Sequence, residues 1–166
     1  MKIIDTFAAE FQHEAATTRK LLERLPEGSF GWKPHEKSWP SAGLASHIVQ
    51  IPGWIVPTLD QDELVMDPAT YKPWIATSSA ELLAKFDENV AAGLACLGRH
   101  PDSVLRGMWS LKSPEKTYLT MPKAAVLRGF VLSHLIHHRG QLSVYLRLLN
   151  VPVPSIYGPS ADEPNF

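Results

Sequence analysis

Apolar residues return at helical intervals over four long stretches of this chain, and that period restricts the fold more than any other feature. From Ile3 to Leu25 they fall at Phe7, Phe11, Ala15, Leu21, Leu22 and Leu25, with charges between them, and Pro26-Glu27-Gly28 stops the run. A second helix starts between Ser38 and Ser41, where a serine caps it and Pro40 suits the first turn. Leu44, His47, Ile48, Ile51 and Ile55 then share a face. Pro52-Gly53 should kink or end this helix, so the pattern supports it as far as Ile51 and only weakly beyond. A third helix spans residues 78–98, with Leu82, Leu83, Phe86, Val90, Leu94 and Leu97 inward. The fourth runs from about Pro122 to Leu149, and Asn150 can end it.

The remaining segments lack that period. Residues 61–77 carry Pro68 and Pro73 and read as a long crossover. Residues 99–121 are irregular, with Trp109, Leu111, Tyr118, Leu119 and Met121 set among polar residues as a short hairpin or lid. Residues 151–166 form a proline-rich tail. The expectation is an all-α four-helix bundle with long crossover connections, built as one domain over residues 1–166.

Charge and cysteine content narrow the partners. The 16 basic and 17 acidic residues are interspersed, so no stripe of positive charge exists to follow a phosphate backbone, and nucleic acid is not an expected partner. The single cysteine, Cys96, cannot form an internal disulfide and suits a reducing compartment. No window approaches the roughly 18 to 20 uninterrupted apolar residues of a membrane span, and the first residues do not read as a secretion signal. A cytoplasmic protein without a membrane segment is expected.

The chemistry concentrates in Ser133-His134-Leu135-Ile136-His137-His138-Arg139-Gly140-Gln141. On a helix, His134 and His138 project within about 40° of each other, one turn apart. Counted the same way, Leu127, Phe130, Val131, Gln141 and Tyr145 point in nearly the same direction, which puts the pair on the buried seam. Burying an imidazole donor or acceptor without a partner costs on the order of 1 to 3 kcal/mol. A divalent cation removes that cost by accepting a lone pair from each ring, at about 2.0 to 2.1 Å for zinc. His47, inward on the second helix, is the candidate third ligand. The alternative is a metal-free buried network of histidines.

These residues also carry a family resemblance. Ser38-Trp39-Pro40 leading to Leu44-Ala45-Ser46-His47-Ile48, the run from His134 to Leu142 continuing to Tyr145-Leu146-Arg147, and the tail from Pro154 to Glu163 resemble DinB-like proteins. The resemblance implies an up-up-down-down four-helix bundle, often a homodimer, with one metal held by His47, His134 and His138. Pro52-Gly53 departs from that pattern.

Other polar residues have simpler readings. His137, at the edge of the seam, suits a supporting or surface role. His13, His35 and His100 sit in polar surroundings and are expected in solvent. Cys96 falls off the apolar stripe. Glu10 and Glu14 read as a solvated face, although Glu14 lies close enough to the Phe7-Phe11 side to act as a base. Arg139 points away from the seam and pairs with a carboxylate at the bundle edge. Tyr145 is core or a pocket hydroxyl. Trp32, Trp39 and Trp109 pack, or line a substrate cavity. Asp162 or Glu163 is a candidate to orient a ligating histidine.

Three histidines leave a tetrahedral metal one ligand short, the usual state of catalytic rather than structural sites. The leading expectation is a metal-dependent hydrolase, or a thiol-dependent transferase of the kind the resemblance implies, acting on a small molecule. The competing expectation is a structural metal in a binding or stress-response protein. All-histidine ligation suits several transition metals, with zinc or nickel preferred.

Overall fold

The computed structural model describes residues 2–164. Helix α1 (Ile3–Leu22) buries Ile4, Phe7, Phe11 and Leu21 along one face. The Asp102 carboxylate receives its Ile3 and Ile4 N–H groups, each at 2.9 Å, an anion where the helix dipole favours one. Helix α2 (Ser41–Gln50) follows the Trp32–Pro40 loop. Helix α4 (Ser79–Arg99) begins where Ser78 Oγ accepts the Glu81 N–H at 3.1 Å. These three helices and the last one enclose Phe11, Leu44, Ile48, Ile51, Phe86, Leu135 and Leu142.

The chain does not stop at Pro52-Gly53. A 3-10 turn, Ile51–Trp54, carries α2 directly into helix α3 (Ile55–Asp60). Proline sits in the first positions of that turn, where its missing N–H costs little. The opposing helix supplies the room. A Cβ on Gly93 would lie 3.0 Å from Ile55, 3.1 Å from Phe11 and 3.2 Å from the Pro52 carbonyl, so only glycine lets these elements approach.

The expected all-α four-helix architecture is overturned by a sheet. Strands β1 (Glu63–Val65), β2 (Met108–Lys112) and β3 (Thr117–Pro122) lie in the order β1-β2-β3. β1 runs parallel to β2, with Leu64 opposite Leu111, and β2 is antiparallel to β3, with Trp109 opposite Met121. The fold is therefore α/β, predominantly helical with a small mixed sheet. The 99–121 stretch does contain the hairpin considered for it. β1 escaped notice because three residues are too few to display an alternation. Its pairing with β2 also joins two stretches that lie far apart in the chain.

The last helix is composite. A short α-helical opening, α5 (Lys123–Ala125), leads to a π-helical segment, Val126–Ser133, and then to α6 (His134–Leu148). π-Helical bonding widens the turn, which changes the register between residues before and after Ser133. The face that α6 buries is Leu135, Arg139, Leu142 and Leu146; His134 and His138 are half-buried beside it, and Gln141 is exposed. The seam expected from a uniform α-period is displaced accordingly. Asn150, with φ of 57°, ends the helix in the left-handed conformation. Among the described residues, no helix is long and apolar enough to cross a membrane.

Candidate metal centre

His47 on α2 faces His134 and His138 on α6. The His47 and His134 Nε2 atoms are 3.2 Å apart, and those of His134 and His138 are 2.8 Å apart. One ligand atom from each of the three rings falls within 4.8 Å of the others, and no carboxylate or thiol belongs to the group. The arrangement is compatible with a metal site.

The second nitrogens decide what those close contacts mean. His138 Nδ1 lies 2.7 Å from Gln141 Oε1, one turn on, and donates its proton there. That leaves the His138 Nε2 lone pair facing His134 Nε2. A shared cation would take that lone pair together with one from each of the other two rings. The donor set therefore fits a divalent transition metal, and neutral imidazoles are the form it requires.

The surroundings keep the rings neutral. Burial, followed by the neighbouring His138 and His134, pushes His47 down to about 4. Burial first, and then histidine neighbours, also lowers His134. Burial lowers His138, although its Gln141 partner opposes the shift. Aromatic rings supply much of this desolvation. Trp39 lies 5.2 Å from the His47 ring and stacks on His138 at 6.0 Å, while Trp54 packs 5.6 Å from His47 and 5.4 Å from His134.

Two open hollows reach the histidines from the surface. One, of about 400 Å³, is lined by Ser38, Trp39, His138 and Tyr145; the other, of about 270 Å³, by Trp39, Pro40, His47 and Trp74. Half-exposed Trp39 stands between them. Tyr145 donates to the Trp39 carbonyl at 3.2 Å and sits edge-on to Trp32, holding this loop against α6.

The other sequence candidates are dispersed. His137 is exposed and packs its ring against His138 at 4.8 Å. His13 and His35 are exposed. Glu10 pairs with Arg128 at the surface. Glu14 is neither solvated nor a base for the histidines. It is buried with Arg139, which lies inside the protein rather than at its edge. Asp162 and Glu163 bind Arg147 and Arg24, not a histidine. Cys96 is fully buried and His100 is only partly exposed, and together with Asp60 they form a second close group. Arg99 and His100 both pair with that carboxylate, and burial and Asp60 push the thiol up to about 11. Charge is already balanced there.

Trp54 was not singled out by sequence reasoning, and Phe130 and Gln141 were named only as members of the buried seam. Gln141 lies three residues beyond His138, a helical neighbour. Trp54 lies two turns beyond His47, and that spacing loses its meaning if the helix is taken to end at proline.

Comparison with known proteins places this geometry in a lineage. An uncharacterized protein of Bacillus subtilis, YrdA, is 29% identical over 164 residues, covering 96% of this chain and 91% of the relative. A DinB-like protein from Bacillus cereus superposes with a TM-score of 0.74 at 22% identity, covering 92% of this chain and 97% of that one. Another, YjoA of Bacillus subtilis, gives 0.70 at 18% identity, covering 91% and 96%. Both solved structures share the fold. The DinB family model matches residues 1–165, so a chain with three converging histidines on this helical frame belongs to the DinB family.

Proposed function

We propose that the protein is a metal-dependent enzyme acting on a small molecule, either a hydrolase or a thiol-dependent transferase. His47, His134 and His138 hold one divalent ion, zinc or nickel. The observation that carries this reading is the convergence of the three rings, with Nε2 atoms 2.8 Å apart between His134 and His138 and 3.2 Å apart between His47 and His134. An ion bound there supplies Lewis-acid chemistry, activating water or a substrate oxygen or sulfur at neutral pH.

The protein's own residues do the positioning. Gln141 fixes the His138 tautomer and orients its ring, as outer partners of ligating histidines do. Trp39, Trp54 and Phe130 exclude water from two sides of the group. The hollows beside His138 and His47 give a substrate access. A purely structural metal is the competing reading. Catalysis is favoured because the group ends at three nitrogens and borders open space, whereas structural sites are closed by a fourth protein ligand.

Elemental analysis of untagged protein tests the proposal. About one equivalent of metal in the wild type and none in the double variant His134→Ala, His138→Ala is expected for a single site of this kind. Absence of metal from both after incubation with zinc or nickel overturns it.

A further inference from the structure

Behind the histidines lies a separate cavity of about 360 Å³, within the range of small-molecule sites. It opens between the 3-10 turn, β1, β2 and the π-helical segment. Its walls are chiefly Trp54, Phe130, Trp109, Leu64, Val65 and Leu111.

Apart from the half-exposed Tyr71, the polar side chains in this lining are already engaged. The Trp109 indole N–H donates to the Pro57 carbonyl at 3.1 Å, and the Thr58 hydroxyl donates to the Trp54 carbonyl at 2.7 Å. The one charged group is Asp67. Its carboxylate accepts the Ala69 N–H at 2.9 Å and the Thr70 hydroxyl at 3.3 Å. No lysine, arginine or histidine lines the space. A ligand here gains from apolar contact and shape and finds no counter-charge if it is an anion.

The cavity shares a wall with the histidine group. Trp54 and Phe130 pack together with ring centroids 5.4 Å apart, and each also packs against His134, at 5.4 and 5.7 Å respectively. A molecule resting on these rings lies one side chain from the centre. The three histidines do not line the cavity itself, so it supplies binding surface rather than chemistry.

We infer that this cavity binds the apolar part of the substrate, a neutral hydrocarbon or aromatic group, with the polar reacting end directed past Trp54 and Phe130 toward the three histidines. The inference rests on reading those histidines as an enzymatic metal site. Binding energy from such a non-reacting group is what places the reacting atoms.

Two fluorescent probes of similar ring structure test it: neutral N-phenyl-1-naphthylamine and anionic 8-anilinonaphthalene-1-sulfonate. The neutral probe is expected to bind saturably and the anionic one about tenfold more weakly, because its charge has no partner. Val65→Asp introduces a carboxylate at an exposed position of the lining. It should weaken the neutral probe by about tenfold with the circular dichroism spectrum unchanged. No saturable binding to the wild type, equal affinity for the two probes, or unchanged affinity in both Val65→Asp and Leu111→Asp overturns the inference. Metal content measured on the same samples separates the two readings. Metal without probe binding overturns the cavity alone. Probe binding to a wild type that takes up no metal overturns its role as a substrate site.

Discussion

Two polar clusters meet the last helix at adjacent residues, His138 and Arg139, on different sides of it. Around Arg139 every group is matched. Its Nη1 reaches Glu14 Oε2 at 2.6 Å, the other guanidinium arm reaches the Tyr157 hydroxyl at 2.7 Å, and that hydroxyl also contacts both Glu14 oxygens, at 2.8 and 2.9 Å. Around His138 three imidazoles converge, and the proton of His138 itself goes outward to Gln141. The first cluster is complete within the protein and ties α1, α6 and the C-terminal tail together. The second brings three imidazole nitrogens together in an arrangement that could hold a metal ion. Burial of polar atoms does not by itself mark a functional site; the convergence of metal-ligating atoms is the more telling sign.

Breaking the matched cluster should have the largest effect. Arg139→Ala leaves the Glu14 carboxylate buried without its cation and should cost about 3 to 5 kcal/mol in denaturant unfolding. His138→Ala in metal-free protein should cost under about 1 kcal/mol, since the ring is half-buried and its partner Gln141 is exposed and can turn to water. Equal costs for the two would erase the distinction between the clusters.

The frame that presents His47 and Trp54 depends on close packing rather than charge. Gly93→Ala pushes a methyl against Ile55, Phe11 and the Pro52 carbonyl, and it should lower stability by about 1 to 3 kcal/mol. A stabilised variant in thermal unfolding would show that the proline turn has slack.

Removing the orienting partner should act on metal and not on folding. Gln141→Leu frees the His138 tautomer and is expected to weaken metal binding about 10- to 100-fold in a competition titration. Because Gln141 is exposed, the denaturation midpoint of the metal-free protein should hardly move. A large stability loss with unchanged metal affinity would place Gln141 with the structural cluster.

The smallest effect is a pH dependence. Burial, then the hydrogen bond with Glu14, raises the Tyr157 phenol above its ordinary 10.0. The folded state thus holds this proton more tightly than the unfolded chain. Its contribution is full below pH 10.0 and is lost as pH rises through the folded value. Tyr157→Phe should reduce the decline of stability above pH 10 relative to wild type, as followed by fluorescence-detected unfolding. Identical slopes would show that the hydroxyl titrates as if free.

The site was more readable than the frame around it. His134 and His138 are linked by local helix geometry, so their spacing alone brings the rings together, and His47 follows from the apolar period of α2. Arg139 was recognised as a carboxylate partner, but its burial was not. Glu14 looked solvated because charged residues on an amphipathic helix usually are, and only a guanidinium arriving from α6 makes its burial tolerable. Cys96 and His100 were misplaced for a similar reason, since their partner Asp60 comes from another helix.

From the sequence alone came the helical stretches, the three-histidine constellation and the family signature. Each is written in residues close together in the chain or in a period that repeats along it. Tertiary structure alone decided the sheet, the continuation through Pro52-Gly53, the changed register after the π-helical segment and the apolar cavity. Those features arise where distant segments meet: β1 beside β2, Gly93 beside Pro52, and Trp54 beside Phe130. Their stability comes from contacts that no local pattern encodes.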